Sequence, residues 1–243
     1  MRHAFSAWRD SCPGCVIYTD SAMVSPLVEP AALTTGEQMD RTEFLRRWDA
    51  LPERKLAELI EGVVFVASPV GRDHSDPDFT IEWLLKQYAN ATPGCEGGHN
   101  APWEMLKSMP QPDLHLRIRP ESGGQSSDGP RFFEGAPELA VEICLSSTEV
   151  DFGPKLRLYR RAGVQEYITI ELAPTRIVWR ILRGNSYYAL EPDADGVFRS
   201  ITFPGLWLDR DAFWRNDGAR LLATLQTGLA TAEHQEFAAR LRR

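Results

Sequence analysis

Leu139-Ala140-Val141-Glu142-Ile143-Cys144-Leu145 is an apolar run interrupted by one carboxylate. Its length and its branched residues predict a buried strand. Side chains alternate along a strand, so Glu142 shares a face with Ala140 and Cys144, opposite Leu139, Val141 and Ile143. An ionised carboxylate inside such a strand costs several kcal/mol unless it is paired or bound to a cation. The small neighbours on its face leave room for either. Downstream, Pro154 to Ala162 reads as a short helix, with Pro154 suited to the first turn and Gly163 to the end. Tyr167-Ile168-Thr169-Ile170 reads as the next strand.

Upstream, Pro112-Asp113 opens a strictly alternating segment. Leu114, Leu116 and Ile118 lie on one face; Asp113, His115 and Arg117 lie on the other. Before it, Ile81, Leu84, Leu85 and Tyr88 form the buried stripe of a helix that Pro93-Gly94 ends. Val63 to Ala67 is strand-like, entered from Leu59-Ile60-Glu61-Gly62. Thr34 and Thr35, followed by Glu37 and Gln38, predict a helix start, with Met39, Phe44, Leu45 and Trp48 on its apolar face. Pro120 to Gly135, rich in Gly, Ser and Asp, predicts a mobile surface loop. Ile177 to Leu182 and Tyr187 to Leu190 predict a hairpin around Gly184-Asn185. From Asp211 the apolar Leu221, Leu222, Leu225 and Leu229 follow helical spacing. Helices and strands therefore alternate before a strand-rich segment, which predicts an α/β or α+β fold with a mixed sheet.

The 243 residues are 43% hydrophobic and 25% charged, an ordinary globular composition. A net charge of -7 excludes a globally basic nucleic-acid coat or a polybasic membrane binder, though not a local basic groove. No apolar run approaches the ~18 residues of a membrane span. Four cysteines do not make a disulfide scaffold, and Met1-Arg2-His3 is followed by no apolar block. These features predict a cytoplasmic protein with reduced thiols and no membrane partner. Neither standard glycine-rich phosphate loop is present, and no nucleophile-elbow signature is present.

Asp113 and Glu142, on neighbouring strands, have the chemistry to converge on a hard divalent cation such as Mg²⁺. A nearby lysine, Lys155, would then orient a metal-bound water or offset charge growing on a phosphate. The competing reading makes Asp113 a turn cap and Glu142 one half of a structural ion pair with Lys155 or an arginine. Cys12-x-x-Cys15 has three readings of its own, one of them a redox pair, which lacks the preceding strand such a motif needs. With Cys95 and His99 it would complete a Cys₃His zinc set; otherwise it is a pair of free thiols in a loose extension. Arg157, Arg160 and Arg161 form either a phosphate-contacting edge or a solvated face. Seven tryptophans read as packing.

Several stretches together resemble the Uma2 family, also called DUF820, of the PD-(D/E)XK nuclease superfamily. They are Glu58-Leu59-Ile60-Glu61-Gly62, Ser68-Pro69, His74, Pro112-Asp113, Ala136 to Ile143, and Ser146-Ser147-Thr148. Asp151, Lys155, Tyr159, Gly163 to Tyr167 and Pro204-Gly205-Leu206 complete them. The resemblance runs from Leu33 to about Asp209 and is most specific from Glu138 to Tyr167. It implies a restriction-endonuclease-like core, a mixed sheet flanked by helices, over residues 34–210. Residues 1–33 are then an N-terminal extension and 211–243 a C-terminal helical tail. It implies an Mg²⁺-dependent endonuclease acting on DNA, with Mn²⁺ as a substitute, and a homodimer. Asp113, Glu142 and the backbone carbonyl of Ile143 would be the metal ligands. The superfamily lysine ordinarily stands two residues after the glutamate, where this chain has Cys144; Lys155 matches the family's lysine on the following helix. Glu58 matches the upstream acidic residue, with Glu61 competing. His74 would touch substrate or fix its loop, or be a surface histidine at a helix start. Asp151 would accept backbone hydrogen bonds before the helix, and Tyr159 would fix Lys155 or fill the core. The alternative is an inactive nuclease-fold protein that binds nucleic acid or another protein; a further one keeps metal hydrolysis but takes RNA or a small phosphodiester.

Overall fold

A computed structural model describes residues 32–51, 57–66, 75–144 and 148–242. His74, Cys12 and Cys15 lie outside them. Helix α1 (Arg41–Ala50) is followed by strands β1 (Ala57–Ile60) and β2 (Val63–Val66), then by the long helix α2 (Ser75–Ala91). Strands β3 (Cys95–His99), β4 (Trp103–Glu104) and β5 (Leu114–Ile118) come next, with β6 (Ser127–Asp128), β7 (Phe133–Glu134) and β8 (Leu139–Cys144). One turn, α3 (Thr148–Val150), runs through a π-helical stretch (Asp151–Lys155) into α4 (Leu156–Ala162). Strands β9 (Glu166–Leu172), β10 (Thr175–Arg183) and β11 (Ser186–Leu190) follow, then β12 (Val197–Arg199) and β13 (Trp207–Asp209). Helices α5 (Arg210–Trp214), α6 (Gly218–Leu229) and α7 (Ala232–Leu241) complete the described chain.

Six strands form one mixed sheet in the order β11-β10-β9-β8-β5-β3. Only the central pair, β8 and β9, is parallel; α3 and α4 make the crossover between them. This is the mixed α/β architecture that the alternation predicts. β8 is buried throughout, and β5 almost throughout, because both sheet faces are covered. On one face Leu114, Leu116, Leu139, Val141, Ile143, Ile168 and Ile170 join a core with Ile81, Leu84, Leu85 and Tyr88 of α2. Leu221, Leu225, Phe237 and Leu241 of α6 and α7 belong to that same core. On the other face Ala140 and Tyr167 pack with Leu158 and Tyr159 of α4 and with Ile60 and Trp103.

Several elements depart from the sequence expectation. The first helix starts at Arg41, not near Thr34, because Asp40 is the cap that accepts from the Glu43 amide. Gly36, Glu37 and Met39 instead exchange backbone hydrogen bonds with Val64 and Gly62. Glu61 and Gly62, both at positive φ (51° and 84°), turn β1 directly into β2, so the Leu59-Ile60 approach is itself a strand. Segment Pro120 to Gly135 holds β6 and β7 rather than a plain loop. Buried Glu138 pins its ends, accepting from the Ile118 and Gln125 amides at 2.8 and 2.9 Å. β3 has no hydrophobic alternation to announce it; its Gly97 and Gly98 leave room for His115, whose ring would lie 2.8 Å from a Cβ at Gly98. The helix expected from Pro154 has its first turn at Thr148.

Candidate active site

The site forms where the parallel pair at the sheet centre meets the hairpin and the crossover helix. Glu142, on β8, is 2% exposed, and two groups of the crossover reach its carboxylate. Lys155 donates from Nζ to Glu142 Oε2 at 2.8 Å. Tyr159, one turn further, donates its hydroxyl to Oε1 at 2.6 Å. The same ammonium lies 2.9 Å from Glu58 Oε2 on β1 and 3.7 Å from Asp151 Oδ1. Asp151, Lys155 and Tyr159 recur every fourth residue, so one helical face carries all three to the sheet.

Asp113, at the start of β5, is joined through the backbone: its Oδ2 accepts from the Ile143 amide at 2.7 Å. β5 pairs with β8 only as far as Leu114 opposite Val141. Beyond that point the edge of β8 is taken up by the Asp113 side chain. In a strand the N–H and C=O of one residue leave from the same edge, so the Ile143 carbonyl lies on this edge too. Glu58 is aimed by the segment before β5. Leu59 and Met109 exchange two backbone hydrogen bonds, and the Gln111 amide donates to Glu58 Oε1 at 2.6 Å.

Burial raises the pKa of Glu58, of Asp113 and, furthest, of Glu142, with Lys155 pulling each back. Burial alone would lower that of Lys155, but Glu142, Glu58, Asp151 and Asp113 outweigh it and hold it well above the usual lysine range. Burial and Glu142 raise that of Tyr159, so its hydroxyl stays a donor. Four carboxylates thus surround one ammonium. The surplus of negative charge, all on hard oxygen donors, fits a divalent cation. Among the described residues no three His, Cys, Asp or Glu side chains are grouped to hold a metal alone.

The structure thus brings Glu58, Asp113, Glu142 and Lys155 into one cluster. It does not bring Glu61, which points the other way and pairs with Arg157 and Arg161 of α4 at 3.1 and 2.9 Å. Those two arginines are accordingly tied to the hairpin. Cys144 is buried beside the cluster, and burial keeps its thiol neutral. One contributor escaped the sequence reading: Gln111 carries no signal, since it acts through its backbone amide. Asp151, expected as a backbone acceptor before the helix, lies 3.7 Å from the Lys155 ammonium.

The fold is a six-stranded mixed sheet covered on both faces, with a carboxylate–lysine cluster at its centre. It is similar to a crystal structure from Anabaena variabilis ATCC 29413 described as "a putative nuclease belonging to DUF820". The TM-score is 0.58 at 16% identity, over 73% of this chain and 98% of that one. The family model for Uma2, described as "Putative restriction endonuclease", matches residues 42–211, and the chain belongs to that family. No curated protein matches it. Among the described residues no helix is long and apolar enough to cross a membrane.

Proposed function

We propose that this protein is an Mg²⁺-dependent endonuclease that hydrolyses DNA phosphodiester bonds. The observation behind this is the buried cluster itself: Glu142 inside the central strand, answered by Lys155 at 2.8 Å, with Asp113 bound to the next residue's amide. Asp113, Glu142 and the Ile143 carbonyl would hold Mg²⁺, or Mn²⁺ in its place. When bound, the ion supplies Lewis-acid polarisation of the phosphoryl oxygen and a more acidic water. Lys155 orients the attacking water and places positive charge where the transition state gathers negative charge. Glu58 also holds the Lys155 ammonium, at 2.9 Å, and Tyr159 fixes the other Glu142 oxygen. A homodimer would present two such sites to the two strands of a duplex. A cytoplasmic setting fits the free buried thiols Cys95 and Cys144.

One observation favours a second reading. Both Glu142 oxygens and the Lys155 ammonium already have partners, as in a structural ion pair. Calorimetric titration with Mn²⁺ and Mg²⁺ separates the two, followed by plasmid nicking with the same proteins. The endonuclease reading expects saturable binding that Asp113→Ala and Glu142→Ala both abolish, and nicking that also needs Lys155. A folded wild type with neither metal affinity nor nicking would make the chain an inactive nuclease-fold binding protein.

A further inference from the structure

Arg180 lies on β10 opposite Tyr167 of β9, on the sheet face that carries Glu142. Between them stands Thr169, the register partner of Glu142 on one side and Val178 on the other. Arg180 Nη1 donates to the Thr169 hydroxyl at 3.0 Å and, at 3.5 Å, to the Val178 carbonyl. Its guanidinium stacks over the Phe152 ring at 4.7 Å and the Tyr167 ring at 5.5 Å. The side chain is half-buried, yet among the described residues no carboxylate pairs with it. Two other arginines of the sheet are answered. Buried Arg117 pairs with Glu96 and Asp128, and Arg176, on the same face of β10, pairs with Glu171.

A guanidinium has five N–H donors in a fixed plane and stays protonated. Thr169 and Val178 take only Nη1. Two rings hold the plane in place, so little side-chain freedom is lost when the remaining donors are used. Burial meanwhile pulls the Arg180 pKa below the usual arginine range, and Tyr167, Cys144, Glu171 and Tyr187 nearby offset this only in part. Such a cation is preorganised for an anion. Two strand spacings, ~10 Å, separate its strand from that of Glu142. At ~3.4 Å per nucleotide this spans a few nucleotides of a strand.

We propose that Arg180 is a substrate-binding residue that takes a phosphate oxygen of the nucleic-acid backbone beside the Glu142 cluster. Thr169, Phe152 and Tyr167 hold the guanidinium in position. The identity of the ligand rests on the nuclease reading above. The contact is to the phosphodiester, so DNA and RNA share it, and no base is read.

The test uses the full chain in EDTA, so that binding is measured without cleavage. A fluorescein-labelled 20-mer duplex and an RNA of the same sequence are titrated by anisotropy across a salt series. Arg180→Gln and Arg180→Met are expected to weaken binding to DNA about tenfold and to reduce the salt slope by about one. A parallel loss on RNA identifies the shared backbone as the ligand. Melting temperatures check that both variants fold. A second measurement needs no variant: phenylglyoxal modification of Arg180 in wild type, mapped by mass spectrometry, is expected to slow when DNA is added. Wild-type affinity and slope in a folded variant, or no protection of Arg180, would overturn the proposal. A wild type that binds no oligonucleotide would overturn it as well. Binding through Arg180 without any nicking would sink the endonuclease reading alone.

Discussion

At the scale of single residues the decisive fact is that Glu142 and Lys155 are both nearly sealed from solvent. Replacing Lys155 with Met leaves a buried carboxylate without its cation. Loss of about 3–5 kcal/mol of stability is expected, measured by urea unfolding, since breaking a buried pair is far costlier than never having it. A second prediction concerns thiol chemistry. Burial pushes the Cys95 thiol up to about 12, from an ordinary value of 9.0, and raises that of Cys144 further. A raised thiol pKa keeps the unreactive neutral form at pH 8. Cys95 and Cys144 are therefore expected to stay unlabelled by iodoacetamide in the native protein and to react on unfolding, as peptide mapping would show. Labelling of either at the native rate of an exposed thiol would contradict the packing described.

At the scale of elements, two buried carboxylates outside the cluster, Glu138 and Glu166, hold strands to loops. Glu166, at the start of β9, accepts from Trp179 Nε1 at 2.8 Å and Ser200 Oγ at 2.9 Å. It also accepts from the Ile201 and Thr202 amides at 2.8 and 2.7 Å. Glu166→Ala would strand those donors. With each hydrogen bond to a charged group worth about 1.5–3 kcal/mol, a loss of at least ~3 kcal/mol is expected. Faster hydrogen exchange at the Ile201 and Thr202 amides would mark its site. The edge strand β3 makes a different demand. A methyl group at Gly98 meets the His115 ring, itself edge-on to Trp103 and Phe133. Gly98→Ala is expected to cost about 1–3 kcal/mol, the usual range for overpacking, read from its denaturant midpoint.

At the scale of the molecule, the C-terminal helices share the core of the sheet. Tyr88 donates its hydroxyl to the Pro204 carbonyl at 3.0 Å, and His234 of α7 meets Thr92, just past α2, at 3.0 Å. Leu225→Ala is expected to cost about 2–5 kcal/mol, as for other fully buried leucines. Residues 32–242 are expected to unfold in one transition, with tryptophan fluorescence and far-UV dichroism coincident. A separate early transition lost on deleting α6 and α7 would show that these helices are an independent tail.

Much of this was present in the order of residues. An apolar strand with one carboxylate, a lysine and a tyrosine one helical turn apart, and an alternating strand after Pro112-Asp113 determined the central strands and the crossover helix. They also singled out Asp113, Glu142 and Lys155. Local periodicity suffices there because each element buries a face of regular spacing. Tertiary structure alone decided between Glu58 and Glu61. A two-residue turn sends one carboxylate inward to Lys155 and the other outward to Arg157 and Arg161, and which way each points depends on the Leu59–Met109 pairing, 50 residues apart in the chain. It alone revealed β3, whose glycines carry no pattern, and set Arg180 beside Thr169 and the Tyr167 ring. Long-range pairing has no local signature, because its partners are chosen by what remains unburied once each element has formed.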